Sequence, residues 1–368
     1  MADPRLTKMA QVLVHYSLAL KEGELCSINT SPLAAPLVRE IYREALLAGA
    51  HPLIRLNMEG LEELMLRHGS QAQLTHLPKF VEQEMEEIDA RIVIMGSENT
   101  RALSGSDPQK MALRRQATRH LMDRSMQRSA EGTLKWCVAL FPTNASAQDA
   151  NMSLTSYEDF VYAACKVDQD DPIAAWKKLR ADQQHIVDFL NTRKQIRLVA
   201  PDTDLTYNVA GRQWINCYGD NNFPDGEVFT GPEEYSAEGS IRYSFPAIYM
   251  GQEVNDIRLW FEKGKVVKAT AAKGEELLHS LLDMDEGARF LGEVAFGTNY
   301  DIQHFSRNML FDEKIGGTVH LALGAGYPES GSVNKSALHW DMLCDMRQGG
   351  EAYADGELFY KDGKFLAF

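Results

Sequence analysis

The sequence changes character near residue 195, and this change constrains the fold more than any other feature. Before that point, short apolar runs alternate with amphipathic segments of helical period. After it, strand-like segments follow one another through Gly-rich turns, and one helical segment, residues 275–282, interrupts them. Strands that alternate with helices predict a mainly parallel sheet, whereas consecutive strands predict an antiparallel or mixed sheet. We therefore predict two domains, an α/β domain over residues 1–192 and an α+β domain over residues 193–368.

Periodicity places the elements of both domains. In the first we expect helices over residues 6–20, 35–48, 61–67, 78–87 and 110–127, and strands over residues 24–28, 51–56, 91–95 and 134–141. Residues 157–192 are helical and charged, and we expect them to connect the domains. In the second we expect strands over residues 196–200, 205–209, 227–230, 257–262 and 265–271. The first domain has no Gly-x-Gly-x-x-Gly motif and no P-loop, so we assign it a scaffold or substrate-access role.

Charge and composition exclude several classes of partner. The formal net charge of −14 gives the chain no general attraction for phosphate backbones or anionic membranes, so we expect neither nucleic acid nor membrane as a partner. The N-terminal segment lacks the apolar stretch of a signal peptide, and no segment reaches the roughly 18 apolar residues of a spanning helix. The five cysteines are scattered without a Cys-x-x-Cys pair. Reduced thiols in a cytoplasmic protein are the interpretation we adopt.

Two glutamates stand out by their surroundings. Glu227 leaves a Pro-Asp-Gly turn at residues 224–226 and opens a strand, where a carboxylate is well placed for a site. Glu293 lies in the apolar run of residues 290–297, where a buried carboxylate has to be paired, protonated or bound to a metal. Each has an alternative role. Glu227 can be a solvated edge residue, and Glu293 can face water on an amphipathic strand.

Two histidines and a third carboxylate follow. Period-two alternation over residues 316–324 sets His320 on the face opposite the larger apolar residues. His339 and Asp341 are two apart, so on a strand they share one face, which suits two metal ligands or an imidazole oriented by a carboxylate. Tyr327 stands in the turn after the His320 strand. The alternatives are a hydrogen-bonded structural histidine and a tyrosine that packs over its turn.

Together these side chains form a donor set of three carboxylates and two imidazoles without a thiolate. Mixed nitrogen and oxygen donors suit Zn²⁺, Co²⁺ or Mn²⁺, with Mg²⁺ as a further candidate. Five protein ligands exceed the three of a mononuclear catalytic zinc site. Two divalent ions about 3.5–4 Å apart that share a carboxylate would use them all.

Longer motifs carry a family resemblance. Residues 308–320 (Asn-Met-Leu-Phe-Asp-Glu-Lys-Ile-Gly-Gly-Thr-Val-His) and residues 334–342 (Asn-Lys-Ser-Ala-Leu-His-Trp-Asp-Met) resemble the thermophilic-type metallo-aminopeptidases of the aminopeptidase T and aminopeptidase S kind. Shorter matches are found at residues 224–230, 291–293, 49–52 and 99–105. The resemblance therefore extends over nearly the whole chain.

The resemblance implies a two-metal aminopeptidase that releases N-terminal amino acids from small peptides and forms a homodimer. It also implies that Glu293 bridges the metals and that Tyr327, with Glu293, is catalytic. The metal ligands it implies are Glu227, Glu293, His320, His339 and Asp341. The alternatives are another dinuclear metallohydrolase, such as a dipeptidase or a deacylase, and a non-catalytic metal-binding protein.

Overall fold

The computed structural model describes residues 3–366, and these divide into two compact units. The first comprises the described residues through Ile173 together with Gly219–Pro224, and the second comprises Ala174–Tyr218 and the described residues from Asp225 onward. The helices are α1 Pro4–Val12, α2 Ala35–Leu47, α3 Leu61–His68, α4 Gln71–Thr75, α5 Lys79–Glu87, α6 Pro108–Ala130, α7 Asn144–Asp149, α8 Leu154–Ala164, α9 Pro172–Leu190, α10 Glu275–Leu282 and α11 Met309–Asp312.

The strands alternate with helices at first and then follow one another. They are β1 Leu25–Thr30, β2 His51–Leu56, β3 Ala90–Met95, β4 Lys135–Leu140, β5 Gln195–Ala200, β6 Thr203–Asn208, β7 Ile215–Cys217, β8 Asn222–Phe223, β9 Glu227–Thr230, β10 Glu238–Tyr243, β11 Ala247–Tyr249, β12 Gln252–Val254, β13 Ile257–Glu262, β14 Lys265–Thr270, β15 Leu291–Gly297, β16 Thr318–Gly324, β17 His339–Asp345, β18 Glu351–Ala354, β19 Glu357–Lys361 and β20 Lys364–Phe365.

The first unit contains a five-stranded parallel sheet of order β2-β1-β3-β4-β8. Its long helix α6 begins where the Asp107 carboxylate accepts a hydrogen bond from the Gln109 amide at 2.8 Å. Near its other end the buried Arg128 guanidinium donates to the carbonyl of Ile88 at 2.9 Å, and so satisfies a carbonyl just beyond α5. The predicted α/β domain with a mainly parallel sheet is confirmed.

The second unit is built from antiparallel sheets. One has eight strands in the order β14-β13-β10-β6-β5-β18-β19-β20, another has five in the order β17-β16-β15-β9-β7, and β11 and β12 form a separate hairpin. Both larger sheets send apolar side chains into one core, to which Leu198, Leu259, Phe296 and Leu321 belong. The predicted α+β domain is confirmed. Its sheets are antiparallel, whereas the sequence analysis had kept both an antiparallel and a mixed sheet as alternatives.

Strand alternation separates the core from the candidate site within the five-stranded sheet. In β16, Val319, Leu321 and Leu323 enter the core, and His320 therefore points to the opposite face. The same alternation in β15 sends Phe296 into the core and Glu293 to the other face. One face of this sheet thus stabilises the unit, and the other is free to carry polar groups.

The turn before β9 depends on a glycine. Gly226 has φ +124°, and a Cβ at this position would lie 2.7 Å from the Cβ of Asn299. The Asn299 side-chain amide donates to the Asp225 carbonyl at 2.8 Å, which ties the turn to the segment after β15. Only glycine fits this backbone and this close approach. The turn sets the position at which Glu227 enters the sheet.

None of the helices formed by residues 3–366 combines the length and the apolar composition that a membrane-crossing helix requires.

Candidate metal centre

Four adjacent strands carry acidic and imidazole side chains on the face opposite the core. Across the sheet, Glu293 of β15 stands in register with Ala322 of β16, and Ala322 with Asp341 of β17. His320 is paired with Ala295, and Glu227 of β9 with Gly297. Alanine and glycine at these paired positions leave room between the functional side chains.

The first donor group contains Glu227, Glu293 and His320. One ligand atom from each lies within 4.8 Å of the others. His320 Nε2 is 3.4 Å from Glu227 Oε2 and 3.4 Å from Glu293 Oε1, and all three residues are at least 95% buried. Glu227 is therefore not a solvated edge residue, and Glu293 does not face water.

The second donor group contains Glu293, His339 and Asp341, again within 4.8 Å. His339 Nε2 is 3.6 Å from Glu293 Oε2 and 3.5 Å from Asp341 Oδ2. The other ring nitrogen, Nδ1, is 2.8 Å from the Ala325 carbonyl, and this acceptor keeps a proton on Nδ1. Nε2 is therefore the nitrogen that would give up its proton to bind a cation. Glu293 uses Oε1 in the first group and Oε2 in the second.

Three charged residues of this centre were not singled out from the sequence. Lys314 is fully buried, and its Nζ donates to Glu227 Oε1 at 3.0 Å and to the Glu313 carboxylate. Asp225 Oδ1 lies 4.0 Å from the same Nζ. Glu313 also lies within 4.8 Å of donor atoms of His320 and Asp341. Both Glu313 and Lys314 belong to the motif at residues 308–320. An acid and a base that are adjacent in sequence are also typical of an exposed ion pair, so the sequence did not mark them as site residues.

Burial and ion pairing set the protonation of the centre without a metal. Burial raises the pKa of Glu227 and of Glu293. Burial alone would lower the pKa of His339 and raise that of Asp341, but the ion pair between them raises the pKa of His339 to about 10 and lowers that of Asp341 to about 2. For His320 the contact with Glu293 likewise overcomes burial and raises its pKa to about 9.

Tyr327 stands beside this centre. Its ring packs edge-on against the His339 ring, with centroids 5.2 Å apart, and against Phe229 at 5.5 Å. The link from β16 to Tyr327 is hydrogen-bonded, because the Ala325 amide donates to the Leu338 carbonyl at 2.7 Å. Tyr327 is 38% exposed, and its partial burial together with the nearby Glu293 carboxylate raises the pKa of its phenol, which keeps its proton at neutral pH. The structure thus brings Tyr327 to the second donor group.

The donor atoms fit divalent cations. Glu227 Oε2, His320 Nδ1 and Asp341 Oδ1 are buried without a hydrogen-bond partner among the residues that the structure describes. Two of these atoms are oxygens of carboxylates that belong to the donor groups, and an unsatisfied buried oxygen is costly unless it meets a cation or a donor. Carboxylate and imidazole donors of this kind are typical ligands of Zn²⁺, Co²⁺ and Mn²⁺.

Comparison with known proteins agrees with this chemistry. The family model described as Thermophilic metalloprotease (M29) matches residues 2–365. Aminopeptidase 2 of Geobacillus stearothermophilus is 30% identical over 401 residues, covering 98% of this chain and 95% of that protein, and Aminopeptidase T of Thermus thermophilus is 30% identical over 404 residues, covering 97% and 95%. The solved structure of wild-type AmpT from Thermus thermophilus superposes with a TM-score of 0.87 at 26% identity and covers 99% of both chains. The chain belongs to the thermophilic metalloprotease family M29, as the motifs of its sequence predicted.

Proposed function

We propose that this metalloprotease is an aminopeptidase that removes N-terminal amino acids from peptides at a centre of two divalent ions. The observation that carries the proposal is the pair of donor groups that share Glu293, each with one histidine and a second carboxylate. The family membership and the similarity to proteins named aminopeptidases support the reaction. Metal binding by the two groups rests on their geometry and donor chemistry.

Charge supports a count of two ions. Five carboxylates converge at the centre, those of Asp225, Glu227, Glu293, Glu313 and Asp341. Histidines that ligate a metal are neutral, so with metal bound and all five carboxylates ionised, the Lys314 ammonium offsets one negative charge and a charge of −4 is left. A buried charge of this size has to be compensated. Two divalent ions compensate it fully, whereas one would leave half of it.

The residues of the chain have distinct parts in the proposed reaction. When bound, the two ions supply Lewis acidity to the scissile carbonyl and to the attacking water. Glu293 would be a ligand in both groups, since it offers Oε1 to the first and Oε2 to the second. His339 is oriented by its hydrogen bond to the Ala325 carbonyl. Tyr327 keeps its proton and donates a hydrogen bond to the oxyanion that forms from the carbonyl.

A substrate panel tests the proposal. The full chain is treated with a chelator, reloaded separately with Zn²⁺, Co²⁺ and Mn²⁺, and assayed with aminoacyl amides and with peptides of two to six residues. We expect stepwise release from the N-terminus at every length, and no cleavage of the same peptides with acetylated N-termini. Cleavage of dipeptides alone would indicate a dipeptidase, and removal of the acetyl group a deacylase. Metal binding without any hydrolysis would contradict an enzyme.

Three further predictions accompany the proposal. We propose that the chain acts in the cytoplasm and as a homodimer, and that residues 1–192 restrict access, so that short peptides are cleaved and folded proteins are not. Light scattering after size exclusion measures the mass in solution, for which twice the chain mass is expected. Trimming of a folded protein with an ordered N-terminus would contradict the restricted access.

A further inference from the structure

Lys314 makes the two donor groups unequal. Its Nζ donates to Glu227 Oε1 and to Glu313, and Asp225 Oδ1 is 4.0 Å away. Glu227 belongs to the first donor group. The ion-pair partners of Lys314 do not include Glu293, His339 or Asp341, which form the second group. The buried ammonium therefore contacts the first group directly through Glu227, and it acts on Asp341 of the second group only through its charge.

The position of Lys314 is fixed by the fold. Its backbone amide donates to the Phe311 carbonyl at 3.1 Å, and its own carbonyl accepts from the Asn299 amide at 3.1 Å. The side chain is fully buried among three carboxylates, so the ammonium cannot move into solvent when a metal arrives. A lysine ammonium has three donors and no lone pair, and so it acts on a neighbouring cation only as a positive charge.

Two effects follow for a cation in the first group. Lys314 occupies Glu227 Oε1, which leaves Oε2 as the oxygen directed at His320. The ammonium also repels the incoming ion, and a charge pair buried in protein is screened far less than one in water. A cation in the second group would instead be held by the paired His339 and Asp341, neither of which accepts a hydrogen bond from the ammonium.

Resting on the proposed two-metal function, we infer that Lys314 sets an order of loading, in which the group of Glu293, His339 and Asp341 binds its ion first and the group of Glu227, Glu293 and His320 binds the second ion more weakly. Lys314 is thus a positioning residue that holds Glu227 and makes the second ion exchangeable. The protein then depends on the free metal concentration for its second ion.

Calorimetric titration of the chelator-stripped full chain with Zn²⁺ measures the order directly. We expect two steps in the wild type, separated by at least about tenfold in dissociation constant because a buried ammonium acts on one site more than on the other. Lys314→Met should tighten the weaker step and narrow the separation. Lys314→Arg keeps the charge and should keep the separation. Lys361→Met, which removes an exposed lysine paired with Glu351, is the matched control and should change neither step.

Two further variants assign the steps without relying on the folding of a lysine variant. His339→Ala should abolish the tighter step and His320→Ala the weaker one, with bound zinc counted by mass spectrometry. Two equal steps in the wild type, an unchanged separation in a folded Lys314→Met, or loss of the weaker step in His339→Ala would overturn the inference. Equal steps together with metal-dependent hydrolysis would leave the aminopeptidase proposal intact, whereas absence of both binding and hydrolysis would remove that proposal instead.

Discussion

At the scale of single residues, Glu293 occupies the central place in the candidate centre. Its two oxygens contact different histidines, Oε1 at 3.4 Å from His320 and Oε2 at 3.6 Å from His339. The side chain is 5% exposed, so solvent does not compensate its charge. A side chain with one oxygen and one amide nitrogen cannot serve both groups.

Glu293→Gln should therefore be among the most damaging single changes. We expect bound metal to fall below two ions per chain and turnover to fall by more than about 100-fold, since mutating even the residues that only orient metal ligands typically lowers metal affinity or activity 10–100-fold. Metal analysis and a kinetic assay at saturating Zn²⁺ measure the effect. Glu276→Gln, at an exposed site in α10, is the control. A Glu293→Gln protein with two bound metals and near-normal turnover would assign Glu293 a structural role.

Tyr327→Phe removes the hydroxyl and keeps the aromatic ring, so it tests the two roles of this side chain separately. The phenylalanine keeps the edge-on packing against His339 and Phe229, so we expect metal content, melting temperature and KM to stay near wild type. Turnover should fall by about 10²–10³-fold, because an oxyanion donor acts mainly in the transition state. The matched control is Tyr235→Phe, an exposed tyrosine that packs edge-on against Phe290 with centroids 5.5 Å apart. Loss of metal in Tyr327→Phe would make the hydroxyl a ligand support, and unchanged turnover would leave only packing.

At the scale of elements, the five-stranded sheet determines where the donors lie. Glu227, Glu293, His320 and the His339–Asp341 pair come from β9, β15, β16 and β17, which are neighbours in the order β17-β16-β15-β9-β7. Each enters from the face that alternation leaves opposite the core. The tight turn at Gly226 then decides how β9 begins.

Gly226→Ala should disturb that turn. The new Cβ would approach Asn299 to 2.7 Å at a φ of +124°, and we expect the free energy of unfolding to fall by about 2–3 kcal/mol or more, with a loss of metal affinity through Glu227. Gly251→Ala also places alanine at a positive φ, +79°, but with no atom within 4 Å. It should cost about 1–2 kcal/mol and leave metal binding unchanged. Denaturant unfolding and zinc titration compare the two variants, and equal losses in both would remove the role given to the Asn299 contact.

Much of this arrangement was predictable from the sequence where the periodicity is strong. Strand β9, strand β13 and helix α10 have the predicted bounds, because Gly- or Pro-containing turns flank clear apolar patterns. Strands such as β10, Glu238–Tyr243, were missed since polar residues interrupt the alternation. Lys314 was missed for another reason: its partner Glu227 is 87 residues away in sequence, and only the tertiary fold brings the two together.

At the scale of the whole molecule, the acidic net charge of −14 and the acidic centre have the same sign. The centre is nonetheless internally paired without a metal, since Glu227 contacts Lys314, His320 contacts Glu293 and His339 contacts Asp341. These pairs offset a large part of the charge. The fold should therefore survive removal of the ions.

Chelation should abolish hydrolysis while the chain stays folded, and Zn²⁺, Co²⁺ or Mn²⁺ should restore it. Circular dichroism of the stripped protein should match that of the loaded protein. The loaded protein should unfold at a higher temperature, because an ion present at about 100 times its dissociation constant adds about 2.7 kcal/mol. Full hydrolysis by a protein that metal analysis finds free of metal would contradict the mechanism, and unfolding on chelation would contradict the internal pairing.

The location of the donors in the middle of a sheet has a consequence for how the protein fails on heating. Strands β15 and β16 are buried along their whole length, and each is hydrogen-bonded to a neighbour on both sides. Amide protons in such strands exchange with deuterium mainly when the surrounding structure opens as a whole. We expect the peptides that carry Glu293 and His320 to exchange among the slowest, and the segment between β16 and β17 to exchange faster. Inactivation by heat should then coincide with cooperative unfolding of the second unit, without an earlier stage in which a folded protein has lost its active geometry.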